Sequence, residues 1–332
     1  MNTTHRHGLK LAGAALAAMI STLAGLASHA RAAEPVTYLL PAPVNLPAFA
    51  PWVLAQHLGY YAQAGYDVQF QTAKGGVDVA KQVGVGNAPI GGALGDTSII
   101  VRANGVPVKA VALMGGGSLT VMVGRADHGI HKLQDLKGRT VTVLSYQDTT
   151  FYALLGSLAS VGLTKNDLNI QAVGPAAITS LVIQGSADAC ACVPDWEIYV
   201  RDALPDKAVS MPALDYFPAM AQAIVSSDDT IRQKPQLVRA IVQATIRGMT
   251  FIMRDPAKAA RAYAEAMPES AKDMDQLTRI LENFVDRSYK GQTTPGVMDE
   301  KRLAEVQTFY VSQGLIERST PVGELYTNEF VK

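Results

Sequence analysis

Residues 36–70 read VTYLLPAPVNLPAFAPWVLAQHLGYYAQAGYDVQF, and the order of periodicities in this stretch decides the fold. Val36 to Leu40 is a short apolar run closed by prolines at 41, 43 and 47, which predicts a strand running into a loop. Phe49, Trp52, Val53 and Leu58 then recur at helical spacing up to Tyr61. Gly65 breaks the helix, and Tyr66, Val68 and Phe70 alternate as a strand does. Such strand-helix-strand units argue for an α/β fold with a largely parallel sheet.

The pattern repeats downstream. A helix is predicted over 78–83, a strand over 88–93, a helix over 97–103, a turn at Asn104-Gly105 and a strand over 108–114. Gly115-Gly116-Gly117 interrupts the series and reads as a crossover to a second lobe. The series then restarts: strands at 119–123, 141–144, 169–173 and 189–193, with helices at 149–161 and 176–184 between them. A second crossover is expected at 221–227. From Lys234 the chain reads as helical, with Leu237, Ile241, Ala244 and Phe251 in one stripe and Asp255-Pro256 opening the next helix. Lobe 1 is therefore expected to hold 33–118 and 226–332, and lobe 2 residues 119–225.

Upstream, His5, Arg6, His7 and Lys10 precede an apolar run from Leu11 to Ala27, and Ala30-Arg31-Ala32 fits a small-x-small cleavage site. This order predicts a signal peptide, residues 1–32, cleaved after Ala32, and export to the periplasm. The run contains Ser21 and Thr22 and is shorter than the roughly 20 apolar residues of a membrane span, so no membrane insertion of the mature chain is expected. Removing Arg6, Lys10 and Arg31 leaves 26 basic against 29 acidic side chains. With 48% hydrophobic and 17% charged residues the composition is that of a folded globule, and no basic stripe suggests a nucleic-acid partner.

Cys190 and Cys192 are the two cysteines, in the order Cys-Ala-Cys. Two residues apart on a strand they share a face, and a bond across so short a loop is expected to strain the backbone, so they read as two buried thiols. Enzyme motifs are lacking. Gly84-Val85-Gly86-Asn87-Ala88 has Pro89 where a dinucleotide motif needs its third glycine and precedes a strand, and no Gly-x-Ser-x-Gly elbow occurs. His57, His128 and His131 have no partners at zinc-like spacing, so no metal, cofactor or catalytic residue is expected.

Six stretches occur in one order: Leu58-Gly59-Tyr60-Tyr61 to Gly65-Tyr66-Asp67-Val68, Lys81-Gln82-Val83 to Pro89-Ile90-Gly91, Asn104-Gly105-Val106-Pro107-Val108, Leu133-Gln134-Asp135-Leu136-Lys137-Gly138, Gln184-Gly185-Ser186-Ala187-Asp188-Ala189 and Lys234-Pro235-Gln236-Leu237-Val238. In this order the chain resembles the periplasmic binding proteins of ABC importers for nitrate, aliphatic sulfonates, taurine and the pyrimidine precursor of thiamine. The resemblance implies a type II periplasmic binding fold: two α/β lobes, two crossovers, a solute in the cleft, and ABC permease and ATPase subunits as partners.

Ligands of open α/β sheets sit at the carboxyl ends of the strands, where helix N-termini present unpaired N–H groups. That singles out Gly95, Asp96, Thr97 and Ser98 after one strand, Tyr146, Gln147, Asp148 and Thr149 at the matching place in the second lobe, and Asp195 and Trp196 after a third strand. Asn45 and the Gly75-Gly76 turn are expected to complete the first wall, with Lys74 and Arg102 the nearest cations. Asp96, Asp148 and Asp195 together favour an amine-bearing or heteroaromatic solute; an aliphatic sulfonate, taurine or nitrate is the alternative. A periplasmic sensor, and an enzyme like the fungal thiamine-pyrimidine synthase, are the other readings.

Overall fold

A computed structural model describes residues 33–332; the expected signal peptide and its cleavage point lie outside these described residues. The strands form two five-stranded sheets. The first contains β1 (Glu34–Leu40), β2 (Tyr66–Thr72), β3 (Ile90–Leu94), β4 (Val108–Leu113) and β10 (Gln222–Ser227), in the order β2-β1-β3-β10-β4. The second contains β5 (Val121–Arg125), β6 (Thr140–Val143), β7 (Asn169–Ala172), β8 (Ala189–Cys192) and β9 (Ala208–Pro212), in the order β7-β6-β8-β5-β9.

The two sheets are built alike. In each, the strand reached directly from the other lobe, β10 or β5, inserts antiparallel between neighbours, while β1 with β3 and β6 with β7 and β8 run parallel. This is the two-lobed architecture expected. Helices cover both faces of the inner strands, so β3, β5, β8 and β10 are buried at every residue, as parallel-type sheets require. Alternation along a strand splits the core: Tyr38 and Leu40 join one cluster and Leu39 the other, and Cys190 and Cys192 lie opposite Ala189 and Ala191.

Seven helices shape the cavity and the joints between the lobes: α1 (Ala50–His57), α2 (Gly76–Gly84), α3 (Thr149–Ser160), α4 (Pro194–Ala203), α5 (Pro235–Arg254), α6 (Met274–Phe284) and α7 (Glu300–Ser312). After β10 the chain packs on the first sheet. α5 lies so close on α1 that a Cβ on Gly248 would stand 2.0 Å from the Pro51 carbonyl oxygen. α6 and the turn after it, Val285–Tyr289, also reach the second lobe: Asn283 donates to the Pro194 carbonyl and to Glu197, and Arg287 binds the fully buried Glu197 carboxylate through Nε and Nη2 at 3.0 and 2.5 Å.

Sheet membership corrects the second crossover. Residues 222–227, expected to be that passage, form the central strand β10 of the first sheet, because Ala223 to Val225 are apolar enough to be buried on both faces. The passages are 114–120 and 213–221, and they lie side by side: Met114 N–H donates to Gln222 O, Leu119 N–H to Met220 O and Ala213 N–H to Thr120 O. Arg302 of α7 clamps both, donating to the carbonyls of Gly116, Gly117 and Pro218.

The cysteine expectation is also corrected. Cys190 and Cys192 are fully buried and joined by a disulfide. Their Cα atoms stand 5.4 Å apart, well inside the span a disulfide bridges, about 4.4–6.8 Å, so the shared strand face that argued for two packed thiols instead aligns them for a bond. Thiol titration in denaturant without reductant should find no reactive cysteine; two reactive thiols would contradict the bond. Arg287→Ala should lower stability in urea by about 3 kcal/mol by stranding Glu197, whereas a loss under about 1 kcal/mol would contradict the pairing.

Candidate functional site

A cavity of about 530 Å³, counted with its opening, lies between the two sheets. Every strand that meets it does so at the end expected of an open α/β sheet. Pro41 and Ala42 follow β1, Gly92 to Leu94 end β3, Leu144 follows β6 and Val193 follows β8; the antiparallel β10 arrives there with its first residue, Gln222. Helix starts supply Phe49 and Trp52 at α1, Asp148 to Thr150 at α3 and Trp196 at α4, and loops supply Leu46, Ala48 and Leu119.

The wall is apolar and aromatic. Leu46, Phe49, Trp52 and Leu94 come from the first lobe, Leu144, Val193 and Trp196 from the second, and Leu119 from the passage between them. Trp52 packs edge-on against Phe49 and Tyr38, with ring centroids 6.1 and 6.3 Å away, which fixes its plane. Among the described residues lining the cavity there is no lysine, arginine or histidine. The polar lining is short: Asp148, Thr149, Thr150 and Gln222. Gln222 donates from Nε2 to the Ala48 carbonyl, and its Oε1 has no protein partner among the described residues.

Of the residues singled out in the sequence, Asp148, Thr149 and Trp196 line the cavity and the others do not. Gly95 packs on Leu113 and Met220; Thr97 Oγ1 accepts from the Leu94 N–H; Ser98 is buried. Asp96 is buried and accepts from the Tyr310 hydroxyl at 2.5 Å. Tyr146 and Gln147 are exposed, the tyrosine hydroxyl donating to the Ile170 carbonyl. Asn45 is exposed and its carbonyl accepts from the Tyr263 hydroxyl. Arg102 is taken up by Asp228, Glu324 and the Val108 carbonyl. The residues missed, Phe49, Trp52, Leu94, Leu119 and Leu144, have the periodicity of core residues, and Gln222 lay in the stretch misread as a crossover.

The three carboxylates differ. Asp148 caps α3, Oδ1 accepting from Thr150 N–H and Oγ1 at 2.9 and 2.5 Å, while Oδ2 accepts from the Gly76 N–H of the other lobe at 3.1 Å. Burial raises its pKa and these donors pull it back. Asp195 is wholly buried at the start of α4; Oδ1 accepts from the Trp196 N–H, and Oδ2 has no partner among the described residues. Burial pushes its pKa up to about 7, only partly offset by backbone N–H groups of Trp196, Asp195 and Ala48. Its field, added to burial, raises Tyr263 and Tyr289. Burial likewise raises Asp96 to about 6, against the Tyr310 bond and Arg302.

Among the described residues, no three or more His, Cys, Asp or Glu side chains gather to hold a metal ion, and no helix is long and apolar enough to cross a membrane.

Comparison with known proteins gives a family consistent with this geometry. The model of the NMT1/THI5-like family matches residues 46–259, and the chain belongs to that family. The riboflavin-binding protein RibY of Chloroflexus aurantiacus is 25% identical over 290 residues, covering 85% of this chain and 82% of that one. The 4-amino-5-hydroxymethyl-2-methylpyrimidine phosphate synthase THI13 of Saccharomyces cerevisiae is 24% identical over 323 residues, covering 90% and 88%. In structure, the alkanesulfonate-binding protein SsuA of Xanthomonas axonopodis pv. citri superposes with a TM-score of 0.68 at 17% identity, over 89% of this chain and 98% of that one. The fold is that of the type II periplasmic binding proteins.

A carboxyl whose folded pKa is raised binds its proton more tightly folded than unfolded, so its contribution to stability is greatest in acid and is lost as pH rises through the folded value. Stability should therefore fall from about pH 4 to about pH 7, with Asp195 responsible for the part between 6 and 7. Asp195→Asn should flatten that last part in thermal melts; an unchanged slope there would contradict an isolated buried carboxyl.

Proposed function

We propose that this protein is the periplasmic solute-binding component of an ABC importer and that its cargo is a flat heteroaromatic molecule, clasped between aromatic side chains of the two lobes and delivered to a membrane permease. The observation that carries this reading is the composition of the cavity: Phe49 and Trp52 on one side, Trp196 on the other, leucines around them and no cation among the described lining residues. Aromatic walls of this kind hold a ring by stacking and edge contacts.

Charge argues in the same direction. A sulfonate or nitrate in an apolar cavity needs compensating donors, and here Asp148 already accepts the Thr150 N–H at the start of α3. The amine half of the sequence expectation loses support as well. Asp96 is bonded to Tyr310 and Asp195 lies behind Trp196, neither of them on the cavity wall, and Asp148 is filled by three donors. The heteroaromatic half remains, and the riboflavin carried by one relative and the pyrimidine made by another are both ring compounds of this class.

Likeness to a synthase keeps a catalytic reading in view. Binding is favoured because the described lining residues include neither histidine nor cysteine, and the two cysteines are tied to each other in the core.

Thermal unfolding against riboflavin, aminopyrimidines, other heterocycles, sulfonates and nitrate tests this directly. A ligand at a hundredfold its dissociation constant adds about 2.7 kcal/mol, so one ring compound should raise the midpoint by about 5 °C. A rise with sulfonates or nitrate alone would contradict the proposal. Trp196→Ala should weaken the ring compound by about 2 kcal/mol, roughly thirtyfold; unchanged affinity would remove the stacking wall.

A further inference from the structure

The Gly75-Gly76 pair is buried, and what buries it is the other lobe. A Cβ on Gly75 would stand 2.6 Å from the Gln147 carbonyl oxygen and 2.7 Å from the Asp148 backbone N and Cα; one on Gly76 would stand 2.3 Å from Thr149 Oγ1. Along the same line three hydrogen bonds cross between lobes. Ser145 Oγ donates to the Lys74 carbonyl at 2.5 Å, the Gly76 N–H to Asp148 Oδ2 at 3.1 Å and the Val77 N–H to the Gln147 carbonyl at 2.9 Å. The starts of α2 and α3 thus meet at the cavity, where Asp148 and Thr149 form part of its wall.

Two helix N-termini brought together repel, since each carries about half a positive charge. Asp148 lies between them with one oxygen on each side, Oδ1 on the amide of its own helix and Oδ2 on that of α2. The carboxylate therefore does for the two helices what a bound anion would do for one. Gly76 is the sharper of the glycines, because it has an ordinary helical backbone and nothing in its own lobe demands glycine: the nearest atoms there, Ala93 Cα and Cβ, are at 3.4 and 3.5 Å.

We infer that this seam is a latch: Asp148, shared by the two helix starts, and Gly76, which lets the backbones touch, hold the lobes together at the cavity and set how fast the solute leaves. The inference rests on the clamp reading above. It assigns Asp148 and Gly76 to positioning, separate from the aromatic side chains that contact the solute.

Spin labels at Lys81→Cys in the first lobe and Lys165→Cys in the second, both exposed, report the distance between lobes without any ligand. The parent protein should give a short, narrow distance distribution, and Gly76→Ala a longer and broader one. Adding Thr149→Ala to Gly76→Ala removes the atom that the new Cβ meets and should return the distances to those of Thr149→Ala alone. The parent distribution in Gly76→Ala, or long distances persisting in the double variant, would overturn the latch. With riboflavin as the probe, its dissociation from Gly76→Ala should be roughly tenfold faster, the effect of losing one or two hydrogen bonds across the seam; an unchanged rate would also overturn the latch. Should riboflavin not bind the parent protein, that cargo is lost from the proposed function while the distances still decide the latch.

Discussion

Arg302 donates to the carbonyls of Gly116, Gly117 and Pro218, so one half-buried side chain from α7 ties together both passages between the lobes. The cavity depends on this constraint. Each lobe presents its strand ends to the other only if the passages lie side by side, and they do, through backbone bonds at Met114, Leu119 and Ala213. Glycines make the arrangement possible: a Cβ at Gly115 or Gly117 would come within 2.0 Å of the Ser288 or Arg287 carbonyl oxygen. The segment 287–290 that fills this space binds Gly116, Gly117 and Ser118 by backbone hydrogen bonds, and Arg287 sends its side chain on to Glu197 in the second lobe. Residues 287–290 and Arg302 are thus part of the junction between the lobes.

Polar groups near the cavity are largely used for holding the protein in shape. Asp148 caps a helix and joins the lobes, Gln222 ties β10 to the loop before α1 through the Ala48 carbonyl, and Asp195 binds the start of its own helix. What is left facing inward is ring and aliphatic surface. In a cavity of that kind selectivity comes from shape and ring contact, with a few fixed acceptors for orientation.

Much of the architecture was legible because period-2 and period-3.6 segments alternate so regularly between Val36 and Val193. The strand β10 was lost because Gln222 to Ser227 is a brief polar-apolar mixture after a proline-containing loop, and nothing local says that it returns to the first sheet. That pairing depends on β3 and β4, more than a hundred residues earlier. The site was half legible for the same reason. Helix starts such as Asp148-Thr149 and Trp196 announce themselves by capping and position, whereas Phe49 and Trp52 have the spacing of an ordinary buried helix face. Only the opposing lobe distinguishes a core residue from a cavity wall. Asp96 satisfied every local criterion for a ligand contact and points to Tyr310, because α7, 200 residues later, supplies a closer partner.

Trp52 and Trp196 are the two tryptophans of the chain, one from each lobe, and both line the cavity. Tryptophan emission therefore reports on this cavity alone, and titrating it with riboflavin and aminopyrimidines, alongside calorimetry of the same mixtures, is the most direct test of the central claim. The account predicts a saturable change in emission that reaches its end point at one equivalent, with the same dissociation constant by both methods. Calorimetric binding of a ring compound with unchanged tryptophan emission would put the solute elsewhere and contradict it.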